Sequence, residues 1–335
     1  MPSLPTPDST TRPGGSSAVS ASDARVYRYA MVFTVVTVAL GSMVCATDSS
    51  SACPAWPVCY ADQVGPAVQT GWLENPAIEF IHRVISFTCL VLLGYAGWVG
   101  RKYSDVRLRV FPWVGLAMAI GSAVFGMMIV LFTLPLALGL LDLGFALVAA
   151  VLITVASQAA SGRTVASTDV GARRVRALAG TASGVLVAMH LFGSYVAGRT
   201  DTGFASFTRC LSWPMWHVLD IDGHPELQRL RIGLAVSAIV LIGAAVALAW
   251  ARPRLRSTAA LVVALLVAEI GLGLKINSQG LASAQTNGID AGLAVSYALT
   301  AVALFWAVAR LLGRAWPSPV TVEVAPSRET IDTRA

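Results

Sequence analysis

Eight blocks of about 20 apolar residues, nearly free of charge and separated by short polar or basic stretches, constrain this chain more than any other feature. A helix needs about 20 residues to cross about 30 Å of hydrocarbon. Only helices and closed barrels satisfy every backbone polar group where water is absent. The blocks are continuously apolar and lack the two-residue alternation of barrel strands, so they predict helices. The spans fall at about 28–47, 77–100, 110–131, 137–160, 177–198, 230–251, 257–276 and 287–312. Only 13% of the 335 residues are charged. Soluble domains carry about 25%, so there is too little polar surface here to coat a globule in water. The expected fold class is an all-α integral membrane protein with about eight transmembrane helices.

The flanks divide the chain. Residues 1–27 and 313–335 are polar and read as cytoplasmic tails, the first of them disordered. Between them lie an N-terminal half at 28–160, a linker at 161–176 and a C-terminal half at 177–312. The net charge of +6 comes from basic residues that flank the spans, which argues for membrane topology and against nucleic-acid binding. Most of the 24 Lys and Arg residues collect on one side if both termini are cytoplasmic. The long loops 48–76 and 199–229 then face outward from a cell membrane.

The two halves echo each other. Gly41-Ser42-Met43-Val44 matches Gly193-Ser194-Tyr195-Val196, and each is followed by a loop with Thr-Asp and then Trp-Pro. The stretch from Gly126 to Leu134 matches that from Gly273 to Leu281, and Asp142-Leu-Gly matches Asp290-Ala-Gly. Matches in one order at nearly one offset indicate duplication. Each half has an even number of spans, so the halves are parallel, pseudo-symmetric four-helix bundles. The bundle cores and their interface are natural places for a cofactor.

Ionisable residues inside spans are costly and mark function. Glu79, His82, Ser86 and Cys89 share one face of span two, the face expected to point into the bundle. A neutral imidazole there can ligate haem iron, and a carboxylate one turn away can orient it or move protons. The alternative is that Glu79 and Arg83 anchor the helix at the interface and His82 packs in the core. Cys53-Pro-Ala-Trp-Pro-Val-Cys59 lies in the first outer loop, where the two thiols form a disulfide or a redox-active pair. Cys45 and Cys89 read as core residues, and Cys210 has no neighbouring cysteine. His190 in span five reads as a ligand or a packed histidine, and His217 and His224 as loop residues. Asp142 and Asp290, at equivalent helix starts, read as N-caps or as functional carboxylates. Glu269 and Lys275 lie in span seven, too far apart to share a face, with Lys275 able to snorkel outward.

Four of these features together resemble the haem A synthase family of cytochrome oxidase assembly proteins, the CtaA type. They are Glu79-Phe-Ile-His82-Arg83, the Cys53–Cys59 loop after Thr47, the Gly-rich ends of spans one and five, and the duplicated layout. The resemblance covers roughly residues 28–312. It implies oxidation of a haem O methyl group to a formyl group, in haem A biosynthesis and cytochrome c oxidase assembly. It implies that Glu79 is the catalytic carboxylate, that His82 ligates iron, and that Cys53 and Cys59 are disulfide-bonded; Arg83 and His190 stand beside them as further candidate haem contacts. Haem O is then the substrate, and haem b a cofactor of the C-terminal half. Haem O synthase, cytochrome oxidase subunits and membrane lipid are the implied partners. The family pattern has a His at the start of each even-numbered span, whereas here only span two carries one. Asp142 and Asp290 stand in spans four and eight, and Leu227-Gln-Arg-Leu-Arg231 in span six offers no His in either register. Two other readings stand beside the enzyme. One is a non-catalytic haem-handling or oxidase assembly protein. The other is a carboxylate-based membrane transporter using Asp142, Asp290 and Glu269.

Overall fold

A computed structural model describes residues 19–63, 65–132, 136–164, 169–197, 211, 213, 225–279 and 289–317. Among them the chain forms α1 (Ala21–Ala46), α2 (Pro76–Gly100), the short α3 (Val106–Arg109), α4 (Phe111–Leu131) and α5 (Leu136–Ala160). The second half forms α6 (Val170–Ala197), α7 (Pro225–Trp250), α8 (Pro253–Gln279) and α9 (Ile289–Ala315). Eight segments, with α3 and α4 counted as one, are long and apolar enough to cross a membrane. The protein is therefore a multi-pass helical membrane protein.

Helix starts follow capping chemistry. The Ser20 hydroxyl accepts from Asp23 N–H at 3.1 Å, which starts α1 at Ala21, inside the segment expected to be a tail. Asn75 caps α2, its side-chain oxygen accepting from Ala77 N–H at 3.0 Å, with Pro76 in the first turn where its missing N–H costs nothing. Asp105 caps α3, accepting from Arg107 N–H at 2.9 Å. Asp169 caps α6, accepting from Ala172 N–H at 3.0 Å and pairing with Arg252 at 3.0 Å.

The helix contacts repeat the duplication read from the sequence. In the first half α1 packs on α2 and α5, and α4 packs on α2 and α5. In the second half α6 packs on α7 and α9, and α8 packs on α7 and α9. The bundles meet through α5 against α6 and α9 against α1, contacts that exchange under a pseudo-twofold, with α5 and α9 together at the centre. Trp306 Nε1 on α9 donates to Met31 Sδ on α1 at 3.4 Å across this seam. The inner helices are the more deeply buried, while α2, α4, α7 and α8 present Phe87, Trp98, Val124, Val240 and Val267 outward, as lipid-facing helices do.

Small residues set the closest approaches. Gly97 lies against the Trp113 ring, which a Cβ would meet at 2.7 Å. At Gly100 the Leu108 carbonyl occupies the place where a Cβ would stand. This lets the chain fold back so that Tyr27 donates to that same carbonyl at 2.8 Å.

Candidate functional site

The N-terminal end of α2 supplies the first bundle's polar site. Glu79 is buried and accepts from Arg83 Nε at 2.7 Å, one helical turn on. The other arms of the Arg83 guanidinium reach into the loop above. Nη2 donates to the Cys53 carbonyl at 2.8 Å, and Nη1 donates to the carbonyls of Ala55 and, at 3.1 Å, Val58. Cys53 and Cys59 are buried and form the disulfide that closes this loop. One arginine thus fixes the loop over the helix and holds the carboxylate beneath it. The loop between α1 and α2 is tied down again where Glu74 N–H donates to the Thr47 carbonyl at 2.7 Å and Asn75 N–H donates to Ser49 Oγ at 3.2 Å.

His82 follows on the bundle-facing side. Its ring lies against Gly41 of α1, where a Cβ would stand 3.2 Å from Cε1, so the glycine makes room for the imidazole. Its Nδ1 is buried near the Thr37 backbone and makes no hydrogen bond of good geometry. Further down the same face Cys89 Sγ lies 3.2 Å from Thr34 Oγ1. An orphaned, buried imidazole nitrogen in a glycine-lined seat fits the binding of a haem-type metal centre.

Asp142 is not a helix cap. It lies inside α5, which starts at Leu136, and accepts a hydrogen bond from Ser122 of α4. It sits over Gly126, 3.5 Å from where a Cβ would stand, and within electrostatic reach of Glu79. The structure therefore brings Glu79, Arg83, His82 and Asp142 to one end of the first bundle. The side chain of Asp290 lies outside the described residues, as do His217, His224 and Cys210.

In the second bundle the matching seat is filled differently. Gly193 is the repeat partner of Gly41, and the side chain against it is Arg231 of α7, whose Cζ would lie 2.6 Å from a Cβ there. This contact settles the register that the sequence left open: Arg231 stands where His82 stands in the first half. Arg231 is fully buried. It acts electrostatically on Tyr297, as does the buried Glu269, and Tyr297 donates to the Trp213 carbonyl at 3.0 Å. A guanidinium has no lone pair to give to iron and stays protonated, so this half does not fit a haem held in the manner of His82. His190 of α6 is buried with its ring edge-on to Phe305 of α9, 6.5 Å between centroids, so it belongs to this second cluster. Lys275 is exposed while Glu269 on the same helix is buried, as their spacing implied.

Two residues carry roles that the sequence reading missed. Arg83 reads as an interface anchor or a haem contact from its position alone, and its bonds to loop carbonyls belong to tertiary structure. Cys45, read as a core residue, is disulfide-bonded. Its place at the last turn of α1, next to the outer loop, was the available signal.

The fold and site define a duplicated helical membrane protein with a buried histidine–carboxylate centre in its first bundle. Residues 17–154 match the cytochrome oxidase assembly protein family, COX15-CtaA. A Heme A synthase from Lysinibacillus sphaericus (strain C3-41) is 27% identical over 120 residues, covering 35% of this chain and 36% of that relative. The chain thus aligns with about a third of the relative's length. Over residues 17–154 the chain is similar to the CtaA type, as a divergent sequence.

Proposed function

We propose that the protein is a haem A synthase-type membrane oxidoreductase that oxidises a methyl group of haem O to a formyl group, in haem A biosynthesis and cytochrome c oxidase assembly. The observation that carries this reading is the His82 imidazole seated against Gly41, its buried Nδ1 without a well-formed hydrogen bond, beside buried Glu79. His82 would hold the haem through its iron, and the bound haem would bring both the iron and the methyl group to be oxidised. Converting the methyl to a formyl group takes one oxygen atom from water and releases four protons and four electrons (R–CH3 + H2O → R–CHO + 4 H+ + 4 e−). The electrons pass to an external acceptor of the respiratory-carrier class, and Glu79 is the group positioned to take protons. Arg83 keeps Glu79 oriented and covers it with the disulfide loop. Asp142 adds a second carboxylate on the same side of the bundle. The reading places the chain in the plasma membrane with both termini cytoplasmic, because the basic residues gather at that end. Haem O synthase and cytochrome oxidase subunits are its natural partners.

The test is co-expression with a haem O source, purification in detergent, and chromatography of the extracted haem. Haem A or its hydroxylated precursor accumulates with the wild-type chain and not with Glu79→Gln. Product formation that survives Glu79→Gln removes the carboxylate from the chemistry. One specific observation favours a second reading, a haem-handling assembly protein without turnover. Arg231 replaces the iron ligand in the second half. Haem bound but unchanged, alike in wild type and Glu79→Gln, selects that reading.

A further inference from the structure

At the end of the molecule opposite the histidine site, Arg163, Arg310 and Arg314 come within electrostatic reach of one another, and Arg254 bonds to the residue next to Arg163. Arg163 follows α5, Arg254 lies in the first turn of α8, and Arg310 and Arg314 lie in the last turns of α9. Arg314 is buried, and its Nη1 donates to Thr258 Oγ1 at 2.6 Å and to Ser257 Oγ at 3.1 Å. Its Nε is buried without a partner. The Arg310 Nε is also buried without a partner, while its guanidinium lies 5.4 Å from the centre of the Trp306 ring. The charge of Arg163 bears on both Arg310 and Arg314. Arg254 Nη1 donates to the carbonyl of Thr164, next to Arg163, at 3.4 Å.

None of the four pairs with a carboxylate among the described residues. Neighbouring arginines at the same end do: Arg107 with Asp105 at 2.6 Å and Arg252 with Asp169 at 3.0 Å. Topology explains why arginines gather at this end. It does not explain why Arg310 and Arg314 leave buried Nε–H groups without a partner while the charge of exposed Arg163 bears on both, since like charges brought together oppose folding unless something neutralises them. The α9 C-terminus offsets part of this, by less than one full charge.

We propose that Arg163, Arg254, Arg310 and Arg314, with Ser257 and Thr258, form a binding site for a phosphate group. Guanidinium groups match phosphate oxygens in geometry as well as charge, and hydroxyls complete the set. The site lies where apolar spans give way to polar chain, the depth of a lipid headgroup, so an anionic phospholipid is the fitting source. An inorganic phosphate ion offers the same chemistry.

The full chain is purified, delipidated and reconstituted into nanodiscs of phosphatidylcholine, then titrated with cardiolipin or phosphatidylglycerol. A parallel arm adds inorganic phosphate. Bound anion is read by native mass spectrometry and by Trp fluorescence, with Trp306 as the reporter. Arg163→Gln and Arg310→Gln each weaken binding about tenfold, the loss of one charge-assisted contact. Arg256→Gln, an exposed arginine at the same end, leaves binding unchanged. Saturable binding in the lipid arm alone assigns the site to a headgroup, and saturable binding in the phosphate arm alone assigns it to the free ion. Either result supports the site. Equal loss in all three variants, or no saturable binding in either arm, overturns it. Thermal unfolding in pure phosphatidylcholine nanodiscs, unchanged across the variants, separates lost binding from lost folding. No step of the test depends on haem.

Discussion

Removing Arg83 is the sharpest perturbation of the first bundle. Arg83 and Glu79 are both buried, their side chains 10% and 7% exposed, so the pair is not screened as a surface ion pair is. Arg83→Ala leaves Glu79 as an uncompensated buried charge, a loss of about 3–5 kcal/mol. It also strips donors from the carbonyls of Cys53, Ala55 and Val58. Glu79→Gln costs less, because the amide oxygen still accepts from Arg83 and the guanidinium, though without its counter-charge, keeps its bonds to three loop carbonyls. The double variant Arg83→Ala with Glu79→Gln recovers about 1.5–3 kcal/mol relative to Arg83→Ala alone, since the charge stranded by the first change is removed by the second. Denaturant titration of all four proteins in the same detergent, read by circular dichroism, measures the cycle. No recovery in the double variant would refute the reasoning. The loss in Arg83→Ala would then lie wholly in the loop, with Glu79 indifferent to its partner.

At the other end, the hydrogen bond from Arg252 holds the Asp169 carboxyl below its usual range. A lowered folded pKa gives stability that is present above the unfolded value, about 4, and is lost as pH falls through the folded one. Asp169→Asn abolishes that acid-dependent part, a difference of under about 1 kcal/mol at neutral pH for this part-exposed pair, seen by comparing melting curves at neutral and acidic pH. Gly100→Ala drives a Cβ into the Leu108 carbonyl, a backbone atom that cannot swing aside, whereas Gly184 has nothing within 4 Å of its would-be Cβ. Gly100→Ala therefore destabilises by at least about 1–3 kcal/mol, and Gly184→Ala is neutral or slightly stabilising, both read in the same unfolding assay.

Much of the architecture was legible before any coordinates, because a membrane helix advertises itself by an apolar run of fixed length. The repeat matches at Gly41/Gly193, Gly126/Gly273 and Asp142/Asp290 also carried the pairing of helices, since duplicated segments pack in duplicated ways. Caps were less legible. Asp142 sits at the equivalent of a helix start in the repeat, yet α5 runs on ahead of it and the side chain turns across to Ser122. The face shared by Glu79 and His82 followed from helical periodicity, while the grip of Arg83 on the loop did not, because no periodicity links a helix to a loop 25 to 30 residues away. The identity of Arg231 as the counterpart of His82 was ambiguous by one or two positions in sequence. A single contact with Gly193 decided it.

The proposed function requires one haem site per chain, in the first bundle, held by His82. The direct measurement is haem per polypeptide, by pyridine haemochrome and protein assay, on purified wild type, His82→Ala and Gly193→Ala. One haem per chain in wild type and in Gly193→Ala, and none in His82→Ala, is the expected result. Two haems in wild type, or haem that survives His82→Ala and disappears with Gly193→Ala, would contradict it.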